Sequence, residues 1–403
     1  MMATAREGSV RTRSPALDIA VVGGGMAGAT TALALARAGF ATALLEVRQP
    51  RPWNADDECD LRVVGLAPSS MLLLSELGVW ASIRDARCSA FRQMHVWDAQ
   101  SGAAIHFDAP GSGQAELGCI VENRLVQSVL WNALCEAGVR VQCPAQVQEV
   151  HAGAERIELA LVDDSTLSAR LVVAVDGAAS PLRQLAGITT RGHAYEQRAV
   201  VAHVTTERPH HATAWQCFLP GGPLALLPLA DGRSSIVWSL PEARAQQVMA
   251  LDDRGFMDEL GVASDFRLGR ITATTPRAAF PLKLQLARTY QAPRMVLLGD
   301  AAHTVHPLAG QGVNLGLRDV TELRDTLQSA RLAGHDIGAE HVLRRYARRR
   351  RSADTLDAVG FDALARVYGW TAPPLVAART MGIRLLQHLA PMKRRISRHA
   401  AGI

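Results

Sequence analysis

No stretch of this 403-residue chain approaches the roughly 18 consecutive apolar residues that a membrane-spanning helix needs. That excludes a helical membrane protein. The six cysteines (Cys59, Cys88, Cys119, Cys135, Cys143 and Cys217) contain no C-x-x-C pair and no metal-ligand spacing, which argues against a zinc module or a dithiol redox enzyme. They read as free, buried thiols. There is no internal repeat, no low-complexity tract and no nucleic-acid-binding motif. The N-terminal segment has arginines ahead of an apolar run, but Gly23, Gly24 and Gly25 cut that run short, so no signal-peptide core follows. Residues 1–15 read as a disordered polar leader, and the protein is expected in the cytoplasm.

What is present is the balance of an ordinary globular protein, with 48% hydrophobic and 20% charged residues. Charge is unevenly placed. From Arg331 onward there are 14 Lys and Arg against 5 Asp and Glu, whereas the rest of the chain is mildly acidic. A basic tail on an acidic body suggests an anionic partner for the tail, such as a membrane surface or an acidic protein, rather than nucleic acid.

The first chemical motif is Gly23-x-Gly25-x-x-Gly28. It follows a strand expected at Asp18–Val22 and opens a helix expected at 26–38, ended by Gly39; a second strand is expected at 41–46. In that βαβ setting the glycines allow a tight turn and close approach of backbone N–H groups to a pyrophosphate, with the helix N-terminus favouring the negative charge. Met26 and Ala27 lie within this turn. Glu46, ending the second strand, stands where a carboxylate accepts hydrogen bonds from an adenosine ribose. The motif defines a dinucleotide site but does not separate FAD from NAD.

A second motif decides for flavin. Residues 299–319 read GDAAHTVHPLAGQGVNLGLRD. Asp300 ends a buried strand and can hold a polyol hydroxyl. The turn from Gly310 to Asn314 then offers N–H groups and a helix terminus to the pyrimidine edge of a flavin, which becomes negative on reduction. A third turn, Asp176-Gly177 with Ser180 and Arg183, caps another buried strand. His303 and His306 flank the flavin loop as an i, i+3 pair without a metal-ligand pattern, so no metal is expected, and His303 is expected to bond backbone in the turn.

These three motifs, above all HPLAGQGVNLGLRD at 306–319, resemble the flavoprotein hydroxylases of the para-hydroxybenzoate hydroxylase superfamily. Within it the chain is most similar to the ubiquinone-biosynthesis hydroxylases that act on polyprenylated phenols, the likeness covering most of residues 18–350. The resemblance implies FAD contacts at Gly23, Gly25, Met26, Ala27, Gly28, Glu46, Arg62, Asn123, Asp300, Pro307, Gly310, Gln311, Gly312, Val313 and Asn314. Asp176 and Gly177 match a motif serving flavin and NAD(P)H. Asn123 stands where many relatives have arginine. The implied reaction uses NAD(P)H and O2, through a flavin 4a-hydroperoxide, to hydroxylate a polyprenylated phenol.

No sequence feature identifies a substrate-activating base; His203, Tyr195 and Gln216 are candidates on expected sheet strands. Trp215, Phe218, Leu219, Leu224 and Leu226 either line a route for an apolar tail or form sheet core. The basic residues Arg344, Arg345 and Arg348–Arg351, with an amphipathic stretch at 375–398, suit an anionic membrane surface or a quinone-biosynthesis complex.

The expected fold is α/β. A Rossmann-like FAD-binding domain with a parallel sheet is discontinuous over 16–85, 115–185 and 287–345. An antiparallel-sheet substrate domain occupies 86–114 and 186–286, and a helical C-terminal region occupies 346–403. Two other readings remain: a flavin hydroxylase of a small soluble phenol or a flavin oxidase, and a non-catalytic scaffold of a biosynthetic complex. The tryptophan pattern of flavin halogenases is missing around Trp238.

Overall fold

The computed structural model describes residues 16–305 and 311–402. The expected leader, and the expected contacts at Pro307 and Gly310, lie outside them.

Leu17–Val22 is wholly apolar apart from Asp18, as a strand covered on both faces must be. It pairs in parallel with Thr42–Leu45 on one side and Thr166–Ala174 on the other, and the latter with Met295–Leu297. Thr42–Leu45 is extended in parallel by Arg140–Gln142. The first two strands are joined by the helix Met26–Arg37, whose alanine- and leucine-rich sequence lets it pack tightly on the sheet. It ends where Gly39, at φ +84°, donates its N–H back to the Ala36 carbonyl. Two antiparallel strands, Val147–Ala152 and Ile157–Leu161, complete this sheet.

A second, nine-stranded sheet runs from His303–Thr304 through Ala278–Ala287, Thr190–Thr206, Ser234–Pro241, Gly222–Pro228 and Thr213–Leu219 to the hairpin Gln93–Asp98 and Ala104–Asp108, with Ile271–Thr274 paired to Thr190–Thr206 as the ninth. All of these neighbours are antiparallel except Thr213–Leu219 with Gln93–Asp98, which is parallel. The strand His303–Thr304 lies within the second flavin motif, so this sheet is bonded to the loop that carries Asp300. A small third sheet joins Val63–Leu66, Gly118–Glu122 and Cys88–Phe91. Cys88 and Cys119 face each other there, 6.3 Å apart at Cα, and form a disulfide. The expectation of free thiols is therefore corrected for this pair: two cysteines 31 residues apart meet only because the sheet brings them together. Cys135 is exposed rather than buried.

The basic C-terminal region is helical, as expected, over Glu340–Gly369, Pro373–His388 and Ala390–Ala401, with prolines in the first turns of the last two. It does not stand apart from the body. Arg379, 3% exposed at its side chain, pairs with the equally buried Asp98 of the second sheet. Tyr368 stacks on Phe218 with ring centroids 3.7 Å apart, and Gln387 accepts the His106 N–H. Arg350 and, within the amphipathic stretch, Arg379 were expected to suit an anionic surface, but both are buried in ion pairs. Among the described residues no helix is long and apolar enough to cross a membrane.

Candidate active site

Three turns converge at the carboxyl ends of the parallel strands. In the first, Gly23 has φ +109°, and a Cβ there would sit 2.3 Å from the Val175 carbonyl oxygen. A Cβ on Gly28 would sit 1.8 Å from the Gly23 oxygen. A Cβ on Gly25, in contrast, meets nothing within 4 Å, and the same holds at Gly177 and Gly312. Two glycines thus make the turn, and three others face open space at the turns where a bound dinucleotide would lie. Met26 is buried in the core, so its backbone is what it can offer.

Glu46 accepts the Gly24 N–H with one carboxylate oxygen and the Arg48 N–H, at 3.1 Å, with the other. Gln127 and Trp131, from the helix Asn123–Glu136, each donate to the Gly24 carbonyl at 2.8 Å. Sequence reading missed both, because nothing about a helical Gln and Trp 103 and 107 residues downstream marks them as partners of this turn. Asn123 donates its N–H to the Arg62 carbonyl at 2.9 Å. Glu122, also missed, is buried and gathers Trp53, the Asp60 N–H and Arg87.

The second motif packs directly on the first. Cβ atoms on Gly299 and Gly316 would lie 3.6 and 3.5 Å from the Ala27 side chain. Small residues therefore let the first helix, the Asp300 turn and the helix Gln311–Leu332 touch. Solvent reaches Asp300 from one side while protein crowds the other; the crowding raises its carboxyl above the usual range, against the pull of His303, Arg62 and Lys283. Arg62, Asn123 and Asp300, far apart in sequence, are thereby brought into one neighbourhood. The Asn314 side chain accepts the Ala67 N–H at 2.8 Å and the Ser70 hydroxyl at 2.7 Å, and donates to the Gly65 carbonyl. It fixes the loop beside the turn, and a Cβ on Gly312 would meet nothing within 4 Å.

Asp176 is engaged locally, accepting from the Ser180 hydroxyl at 2.5 Å and the Leu182 N–H at 2.9 Å. Arg183 and Gln285 tie this turn to the second motif: Arg183 donates to the Ala301 and Ala178 carbonyls, and Gln285 to that of Ala178.

His303 differs from expectation. Its Nε2 lies 2.7 Å from Asp319 and 3.5 Å from Asp354, all three side chains fully buried. Carboxylate companions come from helices further along the chain, which spacing within the loop could not reveal. Arg350 bonds to the other oxygen of each carboxylate, so the cluster holds two basic and two acidic side chains. Burial would push His303 down, but Asp319 and Asp354 override it and raise its pKa to about 9. Asp319 also accepts the Gly299 N–H at 2.9 Å, so this charged cluster is bonded to the Asp300 turn itself.

Beside the second turn opens a cavity of about 740 Å³, overwhelmingly apolar. Gly65, Leu66, Ala67 and Leu315 border it on the flavin side, the second sheet forms its wall, and the C-terminal helices close it. Strand alternation sorts the expected tail-route residues. Phe218 and, on the same face of its strand, Gln216 line the cavity; Trp215 also borders it but packs with Leu219 against the core on the sheet's other face, to which Leu224 and Leu226 belong. Of the three base candidates, Gln216 lines the cavity and is buried. His203 lies elsewhere, its Nε2 bonded to the Asp60 carbonyl at 3.0 Å, with burial lowering its pKa. Tyr195 sits against His193 and near Asp362, and burial raises its pKa.

A parallel sheet with a glycine-rich turn, a strand-end aspartate and a second turn closing on the first defines a flavin-dependent oxidoreductase, and an apolar cavity opens beside those turns. Residues 16–356 match the family of the FAD binding domain. The chain is 37% identical over 387 residues to a 3-demethoxyubiquinol 3-hydroxylase of Escherichia coli (strain K12), covering 96% of this chain and 98% of that one. It is 35% identical to the ubiquinone hydroxylase UbiL of Rhodospirillum rubrum, covering 96% and 89%. In fold it is similar to the p-nitrophenol 4-monooxygenase PnpA of Pseudomonas putida DLL-E4, with a TM-score of 0.76 at 19% identity over 95% of this chain and 96% of that one. The chain belongs to the FAD-binding-domain family of flavoprotein monooxygenases.

Proposed function

We propose that the chain hydroxylates the ring of a polyprenylated phenol in ubiquinone biosynthesis, taking reducing equivalents from NAD(P)H and one oxygen atom from O2. The observation that carries this reading is the apolar cavity bordered by the second flavin turn. An aromatic head can lie near the cofactor there while a hydrocarbon tail stays out of water. Similarity to two ubiquinone hydroxylases over nearly the whole chain supports the same substrate class.

In this reading backbone at Gly23–Gly28, with Glu46, holds the adenosine diphosphate part of FAD. Arg62, Asn123 and Asp300 hold its polyol, and backbone around Gln311–Asn314 meets its ring. Asp176 and Gly177 border the path of NAD(P)H. The bound flavin supplies hydride acceptance and oxygen activation; the protein positions the phenol and excludes water. Residues 16–85, 115–185 and 287–345 act as the FAD-binding domain, 86–114 and 186–286 as the substrate domain. Deleting the gene should deplete ubiquinone and accumulate a prenylated precursor lacking one hydroxyl, read by mass spectrometry. Unchanged quinone in a strain without a second such hydroxylase refutes the reading.

A prenylated phenol partitions into lipid, so a cytoplasmic enzyme has to meet the membrane surface. Met381, Leu385, Met392 and Ile396 are exposed on the last two helices beside Arg384, Lys393, Arg394 and Arg395. That mixture suits an anionic bilayer. The protein should sediment with vesicles containing anionic lipid at low salt and be released at high salt; no sedimentation at low salt removes this part of the proposal.

A further inference from the structure

The cavity is apolar almost throughout, but one imidazole, that of His399, stands in its lining. Among the described residues lining it, the ionisable ones are Arg318, Asp357, Tyr368, Arg395 and His399. The arginines stay cationic, and burial with the nearby Asp98 pushes the Tyr368 phenol up to about 12. His399 Nε2 lies 2.7 Å from an oxygen of Asp357, whose side chain is 7% exposed. Arg318 stands 3.6 Å from the other Asp357 oxygen and donates to the His399 carbonyl at 3.0 Å, holding both members of the pair.

The position of this pair follows from its neighbours. Arg318 is one turn beyond Asn314 on the same helix. The chain just after His399 presses on the loop that Asn314 fixes, since a Cβ on Gly402 would come 2.1 Å from the Ser69 hydroxyl. An imidazole that gives its Nε2–H to Asp357 keeps its lone pair on Nδ1. His399 is also about two-thirds exposed at its side chain, so a proton it accepts can pass on to water.

We propose that His399 is the base that activates the phenol, with Asp357 as its positioning partner; this rests on the hydroxylase reading above. In the step, Nδ1 takes the proton of the phenol hydroxyl. The O–H bond breaks, an N–H bond forms, and the oxygen electron pair is released toward the ring. The resulting imidazolium is balanced by Asp357. The ring is then the stronger nucleophile toward oxygen delivered at the flavin. Sequence reading did not reach this pair, because 42 residues separate its members and the last helix must fold back over the cavity to join them.

The test uses the full-length flavoprotein with a short-chain prenylated phenol, scoring product formed per NAD(P)H consumed across pH 5.5–9. His399→Gln should lower that ratio about 100-fold, the usual scale for a lost general base, and remove the limb that rises with pH in the wild type. A ring-fluorinated analogue, whose hydroxyl ionises without help, should recover most of the loss in His399→Gln. Asp357→Asn should lower the ratio less than His399→Gln does, because the base remains and loses only its positioning contact, and the fluorinated analogue should repair that loss too. A His399→Gln enzyme with the wild-type ratio and pH profile overturns the proposal, as does a loss that the fluorinated phenol leaves unrepaired. Wild-type enzyme that makes no product from any prenylated phenol overturns the hydroxylase reading instead.

Discussion

Gly28→Ala should purify colourless, without the flavin absorbance of the wild type. The added methyl would lie 1.8 Å from the Gly23 carbonyl oxygen, and that oxygen is backbone with no rotamer to escape through. The turn must therefore open, and it cannot open freely. The Gly23 N–H is bonded to the Leu45 carbonyl at 2.8 Å, and the Gly24 carbonyl is held by Gln127 and Trp131. Relief of the clash displaces the N–H groups proposed to meet the pyrophosphate. Gly25→Ala is the informative companion. Its methyl meets no protein atom within 4 Å, so the apo fold should keep its melting temperature. The same methyl enters the space a dinucleotide would fill, and FAD affinity should fall by about 10- to 100-fold, or roughly 1.4–2.7 kcal/mol. Visible absorbance of the purified variants and flavin titration of the apoproteins separate the two effects. A Gly28→Ala protein with full flavin content would remove this turn from the cofactor site.

The contrast between what the sequence announced and what it concealed has a physical basis. The first turn was legible at Gly23 and Gly28 because a tight turn is built by residues close in sequence, where steric need maps onto residue type. The parallel sheet was legible from unbroken apolar strands such as Leu17–Val22, and the second sheet from alternation between proline and glycine turns. What stayed hidden was made by long-range folding. Gln127 and Trp131 serve the first turn from a helix that reads as ordinary core. Asp319 and Asp354 reach His303 from 16 and 51 residues away, so a loop histidine expected to bond backbone is instead the centre of a charged cluster. The C-terminal helices show basic and apolar periodicity, but periodicity does not say which arginine is solvated. Arg350 and Arg379 are buried because carboxylates wait for them on other elements.

That cluster carries the second large effect. Removing Asp319 leaves His303 and Arg350, both buried and cationic, sharing Asp354 alone, and leaves the Gly299 N–H without its acceptor. Breaking a buried pair in this way costs about 3–5 kcal/mol. Asp319→Ala should therefore melt well below the wild type and bind FAD poorly, since the Asp300 turn loses its anchor. Asp319→Asn keeps the shape and isolates the charge, and pH is the readout that distinguishes a charge from a shape. His303 holds its proton more tightly folded than unfolded, its pKa raised from 6.5 to about 9. Its contribution to stability is complete below about pH 6.5 and is lost as pH climbs through about 9. Asp354, raised to about 7 by burial and by the neighbouring Asp319 charge, acts in the same direction at lower pH, because its folded carboxyl is reluctant to ionise. Asp319 is held low against its burial by His303 and Arg350, and opposes them only on the acid side, where its stabilising charge is lost. Wild-type stability should thus decline from neutral toward pH 9.5. In Asp319→Asn the main force raising His303 is gone, so its share of that decline should shift toward neutral pH and shrink. Denaturant midpoints measured from pH 6 to 9.5 give the comparison. Parallel curves for the two proteins would mean that His303 does not carry its charge in the folded state.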